Sequence, residues 1–190
     1  MESAGTPKSE KPPLRSVHTV SFAQLLGQAR SSLLVTTYQA GKLIAVRDND
    51  GVVNTHFRLF RKPMGLAAGG GGFSVGCARE VHRYVNMPAV TAKLQEPGRH
   101  DACFLLRGLH VTGDIDIHEM AWDKDGELWC VNTRFSCLCT LDAASSFVPR
   151  WRPPFISALS PEDRCHLNGL GMRDGKVRYI TALGSTDTPQ

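Results

Sequence analysis

No stretch of the 190-residue sequence approaches the run of about eighteen apolar residues that a membrane-spanning helix needs. The opening residues, MESAGTPKSEKPPLR, contain no apolar block of the kind that marks a secretory signal. They are polar and Pro-rich, and predict a disordered tail over residues 1–17, with a folded domain over residues 18–190. The compartment expected from these two absences is the cytoplasm, where thiols stay reduced. Lys and Arg are never clustered. The net charge of +4 is dispersed along the chain, which excludes the concentrated basic footprint of a nucleic-acid binder. No CxxC pair occurs, so a zinc ribbon or a thioredoxin-type motif is excluded. HExxH, GxSxG and P-loop patterns are also missing, and no established catalytic signature is present. Long amphipathic helices are scarce. Only VSFAQLLGQ, residues 20–28, reads as a short helix, with Ser21 as its candidate cap, or else as a loop into the first strand.

What remains is apolar material and turn formers. Hydrophobic residues make up 42% of the chain, enough for a core, and 18 Gly with 11 Pro favour tight turns over long helices. The six cysteines are Cys77, Cys103, Cys130, Cys137, Cys139 and Cys165. Cys137 and Cys139 lie two apart in a predicted strand, so they share a face and are read as buried core residues.

Three short segments repeat. Met64-Gly65-Leu66-Ala67, His118-Glu119-Met120-Ala121 and Asn168-Gly169-Leu170-Gly171 start at residues 64, 118 and 168, so the unit recurs every 50 to 54 residues. Each is followed by a Gly-bearing turn, at residues 69–72, Asp125-Gly126 and Asp174-Gly175, and then by a second strand. Leu34–Thr37 and Leu43–Val46 resemble Cys130–Thr133 and Leu138–Leu141, as hairpins of the same unit. A period near ~50 residues of short strands predicts an all-β fold, a β-propeller. Three to four blades fit in this length, whereas a six-bladed ring needs about 300 residues. The expectation is a partial propeller of a six- or seven-bladed ring. Either the chain is a truncated form, or a second copy closes the ring.

Long segments carry a family resemblance. TGDIDIHEMAW, LWCVNTRFSCLCTLD, SSFVPRWRPPFIS, LSPEDRCHLNGL and YITALGSTDT, with LLVTTYQAGKLIAVR before them, resemble an uncharacterised family of conserved hypothetical propeller-like proteins. The resemblance runs from about Ser31 to Thr188. It implies the propeller fold and a longer parent, and it carries no assigned activity. The stretch from Arg61 to Gly72 departs from the family's pattern, and the four glycines at residues 69–72 read as degenerate.

The first residues of inner strands face the channel mouth of a propeller, so polar residues there are candidates for function. The repeat brings His118, His166 and Asn168 to one rim, with Asp114, Asp116 and Glu119 near them. His166 and Asp116 are each placed two residues ahead of a strand start, on the same face if the strand is already extended. Imidazole and carboxylate together suit one divalent metal ion, with His118, His166 and Asn168 as ligands and Asp116 or Glu119 as base or orienter. Gluconolactonase-type propeller lactonases, similar in architecture only, imply a metal-dependent hydrolase acting at the channel. The first reading of the same residues is a hydrogen-bonded network that stitches blades together in a ligand- or partner-binding scaffold, and the metal-dependent hydrolase is its alternative. Arg134, at a strand end, is a candidate for an anionic ligand or a pair for a nearby Asp. Trp151, in a stiff WRPPF run, is a candidate aromatic wall for a ligand or a packing residue between blades. Cys165 and His166 are adjacent in sequence, so in an extended strand they would point apart and not form a nucleophilic pair.

Overall fold

The computed structural model describes residues 17–189. The expected tail, residues 1–17, lies outside the described residues except for Val17. The chain forms four antiparallel sheets in succession. The first contains β1 (Leu33–Thr37), β2 (Lys42–Asn49) and β3 (Val52–Leu59) in that order. The second contains β4 (Leu66–Gly69), β5 (Gly72–Gly76), β6 (Glu80–Asn86) and β7 (Phe104–Val111). The third contains β8 (Ile117–Trp122), β9 (Leu128–Asn132), β10 (Cys137–Thr140) and β11 (Val148–Trp151). The last pairs β12 (Leu167–Arg173) with β13 (Lys176–Ala182). Sequential up-and-down sheets, with β4, β8 and β12 side by side as the first strands of the last three, make this a β-propeller, with two four-stranded blades flanked by a three-stranded and a two-stranded sheet.

Local sequence explains the hairpins. Asp50-Gly51, Gly70-Gly71 and Asp174-Gly175 are two-residue loops in which both residues have positive φ, the turn whose twist matches the flanking strands. The four-glycine run has a structural use of its own. Its middle pair makes the turn, while Gly69 sits against the Trp122 ring, 2.8 Å from where a Cβ would lie, and a Cβ on Gly72 would collide with the Tyr84 carbonyl. Asp125-Gly126 differs from expectation. The β8–β9 loop is longer, and Asp123 organises it by accepting from the backbone N–H groups of Asp125 and Glu127 and from the Trp129 indole.

Two short helices complete the chain, α1 (Ser21–Gln28) and α2 (Pro88–Thr91). α1 is the helix expected from VSFAQLLGQ, and it buries Ala23 and Leu26. Its N-cap is Val20, with no side-chain cap bond, so Ser21 does not cap it. Among the described residues, no helix is long and apolar enough to cross a membrane.

The core sits between blades, since each sheet hides its faces against its neighbours. Ala67, Ile115, Ile117, Met120 and Cys130 fill one interface, and Val131, Leu138, Ile156, Cys165 and Leu167 fill the next. Leu43, Phe73, Val75 and Cys77 form a third, beneath the first sheet. Cys137 and Cys139 are both fully buried, as their spacing predicts. The blades are also joined by polar bonds. Thr36 Oγ1 donates to the Met64 carbonyl at 2.7 Å, and Thr133 Oγ1 donates to the Leu167 carbonyl at 2.5 Å. Each satisfies a backbone acceptor where the following inner strand begins.

Candidate functional site

The backbone entering the inner strands carries a repeated kink. Lys62, Asp116 and His166 each lie two residues before the aligned positions Met64, His118 and Asn168. Their φ angles are 49°, 51° and 46°. Residues other than glycine adopt this left-handed conformation at a cost of about 1–2 kcal/mol. Recurrence at one repeat position in three successive blades makes the kink a device of the repeat, turning the chain from loop into strand. It also corrects an expectation: Asp116 and His166 are not in extended strand. The strand pairing is irregular just after both, between Ile117 and Met120 and between Leu167 and Gly169.

The kink nevertheless brings the expected residues together. The His118 and His166 rings meet edge to face with centroids 4.8 Å apart. The Asn168 side-chain nitrogen lies 3.0 Å from His118 Nδ1, and His118 Nε2 lies 3.5 Å from Asp116 Oδ2. An amide donating to Nδ1 leaves the proton of a neutral His118 on Nε2, facing the Asp116 carboxylate. That contact with His118 is the main reason the Asp116 carboxyl is held below its ordinary range. His166 Nδ1 lies 2.6 Å from Asp163 Oδ2, a short contact that fixes the ring, and among the described residues no hydrogen bond engages its Nε2. Asp163 is itself left-handed, and its N–H donates to the Arg134 carbonyl.

The remaining candidates separate. Glu119 joins none of these contacts. Its carboxyl lies toward Gly169 of β12, and burial pushes its pKa up. Arg134 Nη2 lies 3.2 Å from Asp114 Oδ2, so it is paired with a nearby Asp. Trp151 ends β11, the outermost strand of its sheet, is exposed, and no hydrogen bond or ring contact among the described residues ties it to the histidines. Cys165 is fully buried, and burial raises its thiol pKa, the opposite of what a nucleophile needs.

Sequence reasoning missed Asp163, the carboxylate that orients His166. The Asp-x-x-His spacing in PEDRCHLNGL was the available signal. It also missed Lys62, although Lys62 holds the same repeat position as Asp116 and His166. Beside the histidines, a cavity of about 140 Å³ opens between the first three sheets, with Lys62, Asp116 and Arg134 in its wall. Among the described residues, no three His, Cys, Asp or Glu side chains converge as a metal-binding group.

Two solved structures show some likeness to the chain. One is a catalytically inactive virginiamycin B lyase from Staphylococcus aureus with quinupristin. It is 11% identical, with a TM-score of 0.47 over 77% of this chain and 44% of that one. The other is the selenomethionine-substituted form of the same lyase, 10% identical, with a TM-score of 0.42 over 73% of this chain and 41% of that one. The chain thus spans less than half the length of either structure. No curated protein sequence matches it. One family model covers nearly all of the chain, residues 20–190, and by that match the protein belongs to the family described as domain of unknown function DUF4915.

Proposed function

We propose that this protein is a binding propeller, and that the end of the blades carrying His118, His166, Asn168 and Asp116 receives a small polar ligand or partner. The observation that carries the reading is the repeated left-handed kink, which delivers Lys62, Asp116 and His166 from three blades toward one face. Strained residues of this kind persist where the surroundings over-determine them, and they concentrate at ligand sites. The hydrogen-bonding pattern supports binding over metal chemistry. Both His118 nitrogens face protein partners, and His166 Nδ1 faces Asp163, so a metal at His118 would have to displace Asn168 or Asp116. His166 Nε2 is the group left to meet a ligand. A cytoplasmic setting belongs to the same reading, because all six cysteines are free thiols.

A metal-dependent hydrolase of the channel mouth is the competing assignment. Elemental analysis of gently purified full chain separates the two. The expected result is no stoichiometric divalent metal. A thermal-shift panel of sugars, hydroxy acids and nucleotides should then contain at least one compound that stabilises the protein but not its His118→Ala and His166→Ala variants. A bound metal lost in both variants would overturn the binding reading in favour of the hydrolase.

A further inference from the structure

The cavity beside the histidines has a charge imbalance that the contacts around it do not resolve. Four cationic side chains line it: Arg61, Lys62, Arg79 and Arg134. Only two carboxylates face them, and both are already engaged, Asp114 by Arg134 at 3.2 Å and Asp116 by His118 at 3.5 Å. Arg61, Lys62 and Arg79 make no ion pair among the described residues. Lys62 lies 5.4 Å above the Tyr38 ring, a second wall of the same cavity. These cations come from three separate loops, β3–β4, β5–β6 and β9–β10. Like charges drawn together from distant parts of a chain repel, and the fold gains nothing from their meeting unless an anion joins them. The strained φ of Lys62 adds to that cost.

We infer that this cavity is a site for a small oxyanion, the phosphate or carboxylate head group of a small molecule, gripped by Lys62, Arg61 and Arg79 with Arg134 behind them. The inference rests on the binding reading above and names the ligand chemistry for the neighbouring half of the same face. Size limits the choice. A volume of about 140 Å³ holds roughly four or five water volumes at about 30 Å³ each, which suits a head group and is below the ~300 Å³ of a drug-sized pocket. Guanidinium groups match planar or tetrahedral oxyanions through paired N–H donors, while Lys62 supplies a point charge. A body attached to the head group would extend past Asp116 toward the partly exposed side chain of His166.

Isothermal titration of the full chain with inorganic phosphate and with malonate, at physiological ionic strength, tests this. The expected result is saturable one-to-one binding of at least one anion. Lys62→Ala and Arg79→Ala should each weaken it tenfold or more, and Arg178→Ala on exposed β13 should leave it unchanged. Lys62 and Arg79 are exposed, so these variants should fold, and circular dichroism checks that they do. The inference is overturned if neither anion saturates the wild type, or if all three variants bind alike. Binding that survives Lys62→Ala and Arg79→Ala but is lost in His118→Ala would also overturn the cationic site, while leaving the wider binding reading standing.

Discussion

The two four-stranded blades share a strand order and differ in what covers them. In the β8–β11 blade, the strands β9 and β10 are buried along almost their whole length, including Cys130, Val131, Asn132 and the run Cys137–Thr140. In the β4–β7 blade, burial is concentrated on β5, and the outer strand β7 leaves Phe104, Leu105, Leu106, Leu109 and Val111 exposed, a longer apolar face than the outer strand β11 leaves with Trp151. Composition does not explain this, because Leu105-Leu106 is as apolar as Leu138-Cys139. Position does. The β8–β11 sheet has the β4 blade against one face, through Ala67 and Met120. Its other face meets the β12–β13 sheet and the loop carrying Ile156 and Cys165. No described element packs over β7 in the same way. A propeller blade acquires its core from its neighbours, so an apolar residue is as buried as the next sheet makes it.

One truncation in each blade separates position from composition. Leu138→Ala, at a fully packed interface, should cost about 2–5 kcal/mol through lost burial and a residual cavity. Leu106→Ala, half exposed on β7, should change stability by no more than about 0.5 kcal/mol. Urea unfolding reads both, and equal losses would show that β7 is covered by something outside the described chain. A smaller contrast lies in the threonines that join blades. Thr133→Val leaves the Leu167 carbonyl without its donor in a dry interface and should cost about 1–3 kcal/mol. Thr36→Val removes the equivalent bond to Met64 at a joint that water reaches, and should cost about 0.5–1.5 kcal/mol. Thiol accessibility gives a third measure of the same difference. Cys103 alone is partly exposed, whereas burial pushes Cys77 and Cys137 up to about 12. Ellman's reagent should therefore label one thiol in the native protein and six after unfolding.

Much of this architecture is written locally. The 50-residue period, the hairpins at Gly70-Gly71 and Asp174-Gly175 and the strands β1, β2, β4, β5, β8, β9, β10, β12 and β13 follow from turn chemistry and short apolar runs. The strands β3, β6, β7 and β11 do not stand out in the same way. They contain His56, Arg58, Arg83, Arg107 and Arg150 on faces that solvent reaches, so their apolar runs are interrupted. The rim was legible as a set of repeat positions. Its backbone was not, because αL at Asp116 and His166 is a property of how the loop meets the strand and leaves no mark in residues that carry side chains. Trp151 and Arg134 show the converse limit. Residue type marked both as candidates, and only topology separates the outermost strand from the cavity wall.

Two carboxyls on one strand entry offer the smallest and most local test of how the rim differs from the blade interior. Asp116 is held below its ordinary value of 3.8, chiefly by His118, while burial lifts Glu119 above 4.5. Their contributions to stability therefore have opposite signs with pH. The folded state prefers the ionised form of Asp116, so its contribution is present above pH 3.8 and is lost as pH falls below that value through the folded pKa. The folded state prefers the protonated form of Glu119, so its contribution is present below pH 4.5 and is lost as pH rises through the folded pKa. Asp116→Asn should flatten the acid side of a plot of unfolding midpoint against pH, and Glu119→Gln should remove a decline that begins near pH 4.5. Each effect should stay below about 1 kcal/mol, because both groups keep some contact with water. If Asp116→Asn left the acid side unchanged, the His118 contact would not be holding that carboxylate. The tautomer chain from Asn168 through His118 to Asp116 would then have to be redrawn, with Nδ1 rather than Nε2 carrying the proton.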